Sequence, residues 1–380
     1  MNLKLKSLFM LNPDIIYLNH GSFGACPKPI FDSLINWQKK LEFEPVRHLA
    51  FDVYNYLEKS RDSLSKYVNC NQDDIIFTPN PSTALNTVIK SLDLKEDDEI
   101  LTTNHEYGAL VKTWNYICKK TGAKCIQTKI PLPLNSNENF IKRLESNITK
   151  KTKIIFISHV TSSTALIFPA KAISDLAKRH NIFCIIDGAH APGYLNLNIK
   201  EIDCDVYVGA CHKWMCSPKG VSFLYVKTEH QKMIDPLVIS WGYESEFPGK
   251  SQFLDYHQWQ GTRDMSAYLT IPTTIEFLKK NKWDKVTYEC HKINLWARKK
   301  INQLLNKEPL CDEKFLGQMS SIYLNFKDPI ETQINFYKKY NIQIPFIDWN
   351  NTSLIRISIQ AYNTKEDVLK LLDALKKEFC

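Results

Sequence analysis

No stretch of this chain approaches the ~18 consecutive apolar residues that a membrane-spanning helix needs. A helical membrane protein is therefore excluded, and no membrane partner is expected. The eleven cysteines contain no C-x-x-C pair and their number is odd, which argues against a disulfide scaffold. Several, such as Cys184 and Cys204, lie inside apolar strand-like runs and read as reduced, buried thiols of a cytoplasmic protein. There is no recognisable metal-ligand spacing, no internal repeat and no low-complexity segment. The first twelve residues carry lysines and leucines but are too short and broken for a signal peptide. Charge of one sign is not concentrated anywhere either. Charged residues are 24% of the chain, and the net charge of +8 is spread over lysines at helix-surface spacing, as in 279–285. That pattern describes a solvated face rather than a nucleic-acid stripe.

What is present is enough apolar material for a large core: 380 residues, 44% of them hydrophobic. The middle of the chain alternates short β-rich runs with longer helical patterns. The spacing predicts strands over 74–78, 99–103, 124–129, 153–159, 182–187, 205–209 and 221–226. Helices are predicted over 82–91, 107–121, 140–146 and 170–179. Strands separated by helices make an α/β fold with a mainly parallel, seven-stranded, doubly wound sheet. Residues 182–186 are apolar throughout, as a strand covered on both faces should be. After Met265 the pattern changes to one long helical region over 266–306, a strand over 320–326, a helix over 331–340, a strand over 353–359 and a last helix from Lys365. The expected division is a large domain over 15–264 and a smaller α+β domain over 265–380, joined by segment 1–14.

Ligands of open α/β sheets collect at the carboxyl ends of the strands, so the residues that follow each predicted strand are the informative ones. Asp187-Gly188-Ala189-His190 follows one strand and Ala210-Cys211-His212-Lys213-Trp214 the next. Asn80-Pro81-Ser82-Thr83, His105-Glu106-Tyr107 and His159-Val160-Thr161-Ser162 follow three others. Each residue alone has a plain structural reading. Asp187 suits a strand-end turn, Ser82-Thr83 a helix cap, Lys213 the surface, Tyr107 core packing, and His190 and His212 satisfied core positions. Placed together at successive strand ends, they match the parts that pyridoxal 5′-phosphate chemistry needs. Lys213 supplies an amine for a Schiff base and for moving protons at a substrate Cα. Asp187, ending a buried strand, pairs with the pyridinium nitrogen in a low dielectric. Ser82 and Thr83 at a helix start offer hydroxyls and N–H groups to the phosphate. Tyr107 stacks on the ring, and Ser162 and His190 donate to its phenolic oxygen.

The motifs Asn19-His20-Gly21-Ser22-Phe23-Gly24, Glu44-Pro45-Val46-Arg47, His105-Glu106-Tyr107-Gly108-Ala109, Cys211-His212-Lys213-Trp214, Gly261-Thr262-Arg263-Asp264 and Arg356-Ile357-Ser358 run in one order along nearly the whole chain. In this the chain resembles the class-V aminotransferase group of fold-type I pyridoxal-phosphate enzymes, closest to isopenicillin N epimerase-like proteins. The resemblance implies that Lys213 carries the cofactor, that Ser82, Thr83 and His212 contact its phosphate, and that Thr262 reaches the phosphate of a neighbouring subunit in a homodimer. It further implies substrate contacts from Arg356, Arg47 and His20, with Arg356 clamping an α-carboxylate and Arg47 open between that role and a surface ion pair. Reaction at the Cα of an amino acid through an external aldimine would give epimerisation, with Tyr107 or His105 as second acid. Expulsion of a β-sulfur group would give C–S lysis, and protonation at the cofactor would give transamination. Two departures stand out. Ser162 and Ala210 replace residues common in relatives, and 340–345 holds no cysteine. The latter argues against a cysteine desulfurase; a non-catalytic scaffold is disfavoured because Lys213, Asp187 and Arg356 are all present.

Overall fold

A computed structural model describes residues 3–380, so the first two residues of segment 1–14 lie outside it. Numbered along the chain, the strands are β1 (Ile16–Tyr17), β2 (Ile75–Thr78), β3 (Glu99–Thr103), β4 (Lys124–Thr128), β5 (Thr152–Ser158) and β6 (Phe183–Gly188). They continue with β7 (Val206–Ala210), β8 (Ser222–Val226), β9 (Met319–Tyr323), β10 (Ile342–Gln343), β11 (Phe346–Trp349) and β12 (Thr352–Ser358). The main sheet has seven strands in the order β2-β8-β7-β6-β5-β3-β4. It is the α/β architecture expected, and β8 alone runs against its neighbours. Since β8 is antiparallel to both β2 and β7, those two run the same way, and all six parallel strands end on one edge.

The sheet is apolar on both faces because both are covered. Ile155, Ile157, Ile186, Tyr207 and Phe223 pack into one cluster with the helices Val53–Val68 and Ala170–Arg179. The alternate residues Ile154, Phe156, Ile185, Val206, Val208 and Leu224 pack into the other, against Leu85, Val88, Leu110 and Trp114 of the helices Pro81–Ser91 and Gly108–Thr121. The two-residue period of a strand sends successive side chains to opposite clusters. That leaves the strand ends, and the loops after them, as the places where polar groups can gather.

Two further sheets complete the fold. A three-stranded antiparallel sheet runs β11-β12-β9. Its Ile322, Ile355 and Ile357 pack on Ile293, Ala297 and Ile301 of the helix Trp283–Leu305 and on Leu371 of the helix Lys365–Phe379. β1 pairs in parallel with β10, and from it the chain passes through a strap, Asn19–Gly24, bridged to Ser358 at Asn19. The strap is what brings β12 next to the edge of the large sheet.

The long helical region expected over 266–306 is three helices, Ser266–Leu269, Ile271–Lys280 and Trp283–Leu305. Pro272 at the start of the second cannot continue the first helix's hydrogen bonds. Lys282, at φ +51°, turns the chain into the third. Helices Lys28–Phe43 and Val53–Val68 were not foreseen, although Val53, Leu57, Leu64 and Val68 recur at helical spacing and are buried.

Candidate active site

The loop after β7 carries Lys213 into the interior. Its Nζ lies 3.1 Å from Nε2 of His190, which follows β6. Burial brings the lysine down to about 8, against the attraction of Asp187 and with repulsion from Arg356. At pH 7 about a tenth of the amine is therefore uncharged, far more than for an ordinary lysine. Asp187 ends the neighbouring strand. Burial pushes its carboxyl up, while the Ala189 N–H, 3.0 Å from Oδ1, and the charge of Lys213 pull it down. Lys213 and Asp187 feel each other's charge without forming an ion pair within 4 Å. A gap thus separates the amine from Asp187 Oδ2, which has no hydrogen-bond partner among the described residues.

On the far side of the strap lies Arg356, from the middle of β12. It is buried at 3% exposure. Its NH1 donates to the Ser162 carbonyl at 2.6 Å and to Ser162 Oγ at 3.3 Å, and its NH2 donates to Ser22 Oγ at 2.9 Å. Its Nε has no partner, and no carboxylate among the described residues pairs with the guanidinium. Burial brings it down to about 10, with Tyr194, Tyr17 and Tyr107 within electrostatic reach. Ser22 is itself held by Asn19, 2.6 Å from Oγ to Oδ1.

The strap is seated by contacts with the lysine loop. His20 bonds the Lys213 carbonyl through Nε2 and Tyr362 through Nδ1, both at 2.9 Å, and burial holds its imidazole down at about 3. Gly24, at φ +68°, lies so close to the lysine loop that a Cβ there would sit 2.0 Å from the His212 carbonyl. His20 is thus spent on positioning, and the substrate contact expected of it is corrected: both its nitrogens are engaged within the protein.

The remaining expected residues divide in the same way. Ser82 is the second residue of the helix Pro81–Ser91 and its hydroxyl and N–H lack a partner among the described residues, whereas the Thr83 N–H and Oγ1 both donate to Asn80 Oδ1, at 2.8 and 3.1 Å. His212 donates through Nδ1 to the Val221 carbonyl at 3.0 Å, leaving Nε2 available. Tyr107 is 47% exposed, heads the helix Gly108–Thr121, and is close enough to Arg356 for its charge to be felt. His105, adjacent in sequence, is fully buried and bonded at both nitrogens, to Thr164 Oγ1 at 2.9 Å and the Ile130 carbonyl at 3.0 Å. It has no nitrogen left for a substrate, so the expectation of a second acid there is corrected. Arg47 lies on the surface between Glu44 and Asp52, at 3.6 and 3.4 Å, with its side chain 66% exposed. The surface ion pair is thus formed within the protomer. Thr262 is exposed, on the segment between the helices Gln252–Gln258 and Ser266–Leu269.

Sequence reasoning missed Ser22, which braces Arg356, and Glu106. The latter is buried and accepts hydrogen bonds from Thr103 Oγ1 and from the Ser158 N–H and Oγ, at 2.6, 2.8 and 2.6 Å. Burial and the nearby Asp187 push it up to about 7. Three successive polar residues at one strand end hid which of them faced inward.

A lysine and an aspartate across a gap, a helix start with unused donors, an exposed tyrosine and a buried arginine without a counter-ion together define a fold-type I pyridoxal-phosphate site. The aminotransferase class-V family model matches residues 26–371. The chain belongs to that family of pyridoxal-phosphate enzymes. It is 28% identical to an isopenicillin N epimerase of Amycolatopsis lactamdurans over 97% of this chain and 96% of that protein. It is 24% identical to a hercynylcysteine sulfoxide lyase of Schizosaccharomyces pombe, over 99% and 97%. Among solved structures it is similar to a C-DES mutant with glycine covalently linked to its PLP cofactor, with a TM-score of 0.86 and 19% identity, over 97% of each chain.

Proposed function

We propose that this enzyme acts at the Cα of a free amino acid, with Arg356 receiving the α-carboxylate and Lys213 moving the Cα proton. The observation that carries the reading is the buried guanidinium of Arg356, braced by Ser22 and Ser162 but left without a counter-ion. A buried charge is costly unless paired, and a substrate carboxylate supplies the missing partner in a charge-assisted pair.

Pyridoxal 5′-phosphate, when bound, supplies a sink for the electron pair left as a bond to Cα breaks. Asp187, whose Oδ1 is held by the Ala189 N–H, would meet its ring nitrogen through Oδ2. Ser82 and His212 Nε2 would hold its phosphate, joined by the Thr83 hydroxyl once it turns from Asn80 Oδ1, 3.1 Å away; Tyr107 would cover its ring, and Ser162 would face its phenolic oxygen together with His190 once Lys213 moves off His190 Nε2. Lys213 would bind it and, when free, would take the Cα proton as an uncharged amine. Tyr107 is the remaining acid on the opposite side, since both nitrogens of His105 are engaged.

Epimerisation is the leading outcome, as in the Amycolatopsis relative. Lys213 removes the proton from one face and Tyr107 delivers one to the other. C–S lysis is the second reading, favoured by one observation. The phenol of Tyr107 carries a hydrogen it can donate, and protonating a departing sulfur asks only for donation. Incubation of L- and D-amino acids and cysteine derivatives in D2O separates the outcomes. Inverted, Cα-deuterated amino acid supports epimerisation; pyruvate with ammonia and a sulfur product supports lysis; keto acid alone indicates transamination. No change in any substrate overturns the proposal.

The active unit is a homodimer in this reading. Phe51, Tyr54, Trp241, Phe247 and Trp259 line one apolar concavity, with Trp241 and Phe247 exposed at 80% and 89%. Exposed aromatic side chains gathered in this way suit a face covered by a second copy of the chain, and Thr262 lies a few residues beyond Trp259. Phe247→Glu should give monomers that lose cofactor on gel filtration. A monomeric variant retaining both cofactor and turnover counts against the shared site.

A further inference from the structure

We infer that Trp214 is a positioning residue whose indole N–H locks His190 into the tautomer with its hydrogen on Nε2, so that His190 meets Lys213 as a donor to the free amine. Indole Nε1–H donates and cannot accept. It lies 3.2 Å from His190 Nδ1, so Nδ1 carries a lone pair. An imidazolium has hydrogens on both nitrogens and could not accept that bond; a neutral ring with Nδ1 unprotonated has its hydrogen on Nε2. His190 is held neutral by its surroundings. It is buried, and the groups around it are cationic or able to become so: Lys213 and His212 on the lysine loop, Arg356 on β12 and His20 on the strap.

The second nitrogen then sets the state of the lysine. Nε2 is 3.1 Å from Lys213 Nζ. An ammonium has three donors and no lone pair, so two donors would face each other across that contact. With the hydrogen on Nε2, the contact is a hydrogen bond only when Nζ is an uncharged amine, the form that attacks a carbonyl carbon and that takes a proton from Cα. The lysine brought down to about 8 fits this account but is not needed for it. Trp214 is rigid enough for the task. It is fully buried, with its ring 5.0 Å from that of His20 and 4.7 Å from that of Tyr194. The nucleophile and the group that sets its partner's tautomer are consecutive residues of one loop.

The inference rests on the reading of Lys213 as the reactive amine, but its test requires no substrate. The full-length protein, labelled with 15N at histidine, is examined by long-range 1H–15N correlation with and without added pyridoxal phosphate, and His190→Gln identifies the signal. In the protein without added cofactor, His190 should show an unprotonated Nδ1 and a protonated Nε2. In Trp214→Phe, which keeps an aromatic ring and removes the N–H, that pattern should give way to the opposite tautomer or a mixture. His190 can then accept from an ammonium, so the Lys213 titration should move up by about one unit. At pH 7 that slows its reaction with pyridoxal phosphate about tenfold. A wild-type His190 protonated on Nδ1, or on both nitrogens, overturns the inference even if Trp214→Phe does not fold. An unchanged tautomer in a folded Trp214→Phe overturns it as well. A failed substrate screen with the expected tautomer in place would instead count against the proposed function.

Discussion

A buried guanidinium whose hydrogen bonds all go to neutral oxygens is an expensive group to keep, and its neighbours show what it is kept for. Ser22 and Ser162 fix its two terminal nitrogens without neutralising it. Arg356→Ala should raise KM for an amino-acid substrate by ~10²–10³, the equivalent of about 3–4 kcal/mol for a charge-assisted pair. Affinity for pyridoxal phosphate should change less than severalfold. Parallel titration of substrate and cofactor is the check, and equal losses in both would remove the carboxylate role. Ser22→Ala is the milder companion: it releases one brace, and a rise in KM of about tenfold with kcat little changed would mark positioning rather than contact.

Glu106 gives a second prediction at the same scale. Its folded value of about 7 stands above the ordinary 4.5. Below pH 4.5 it is protonated in both states and costs nothing. As pH rises from 4.5 to 7 the unfolded chain ionises first, so stability falls, by on the order of 3 kcal/mol at completion. Gln at this position keeps an oxygen for the Ser158 N–H and Oγ and offers an amide to Thr103. Glu106→Gln should therefore match the wild type in denaturant midpoint near pH 4.5 and exceed it near pH 8. An equal difference at both pH values would remove titration as the cause.

Among the elements, the strap Asn19–Gly24 decides whether there is a site at all, because it carries Ser22 to Arg356 and His20 to the lysine loop. Its tightest point is Gly24, where φ is +68° and a Cβ would meet the His212 carbonyl at 2.0 Å. Backbone on backbone leaves no flexible group to move aside. Gly24→Ala should cost about 2–4 kcal/mol through strain and displacement. It should also weaken pyridoxal-phosphate retention, read from the visible absorbance that stays with the protein after desalting. Full retention with a lowered unfolding midpoint would make the strap a stabilising element only.

The same elements show what a sequence can disclose. β3 and the helix Ala170–Arg179 were legible to the residue, and the apolar run 182–186 marked β6, a strand covered on both faces, to within a residue. Asp187 and Lys213 were legible as strand-end residues, and the fold does put them within reach of each other's charge. The strap was legible as a motif but not as an object. Nothing local records that Ser22 meets a residue 334 positions away. Likewise, His105, Glu106 and Tyr107 look alike in sequence, and only the twist of the helix start sends the first two inward and the third toward the site. The break at Lys282 was hidden because a lysine gives no sign that it will take a positive φ.

Taken as a whole, the molecule keeps an unusual number of its histidines buried and uncharged, and this sets its response to acid. His105, His159, His212 and His257 are brought down by burial to about 4, and His20 to about 3. Above pH 6.5 each is neutral whether the chain is folded or not, and no stability is at stake. As pH falls through 6.5 the unfolded chain takes up protons that the folded chain refuses until about pH 4, so stability falls across that window. Each histidine contributes on the order of 3 kcal/mol by its lower end. Glu106 works in the opposite direction over pH 4.5–7 and offsets about one of them. Denaturant midpoints should therefore be flat from pH 7 to 8 and fall steeply from 6.5 to 4.5, with several protons bound on unfolding. Bound pyridoxal phosphate should shift the curve at His212 in particular. That ring already donates Nδ1 to Val221, so it can hold a phosphate oxygen through Nε2 only as an imidazolium, and a dianion beside it raises its proton affinity. The cofactor-loaded protein should then lose less stability on acidification than the cofactor-free protein, and His212→Asn should remove most of that difference. Parallel acid curves for the two forms would mean that His212 stays neutral beside the phosphate and does not contribute a charge to holding it.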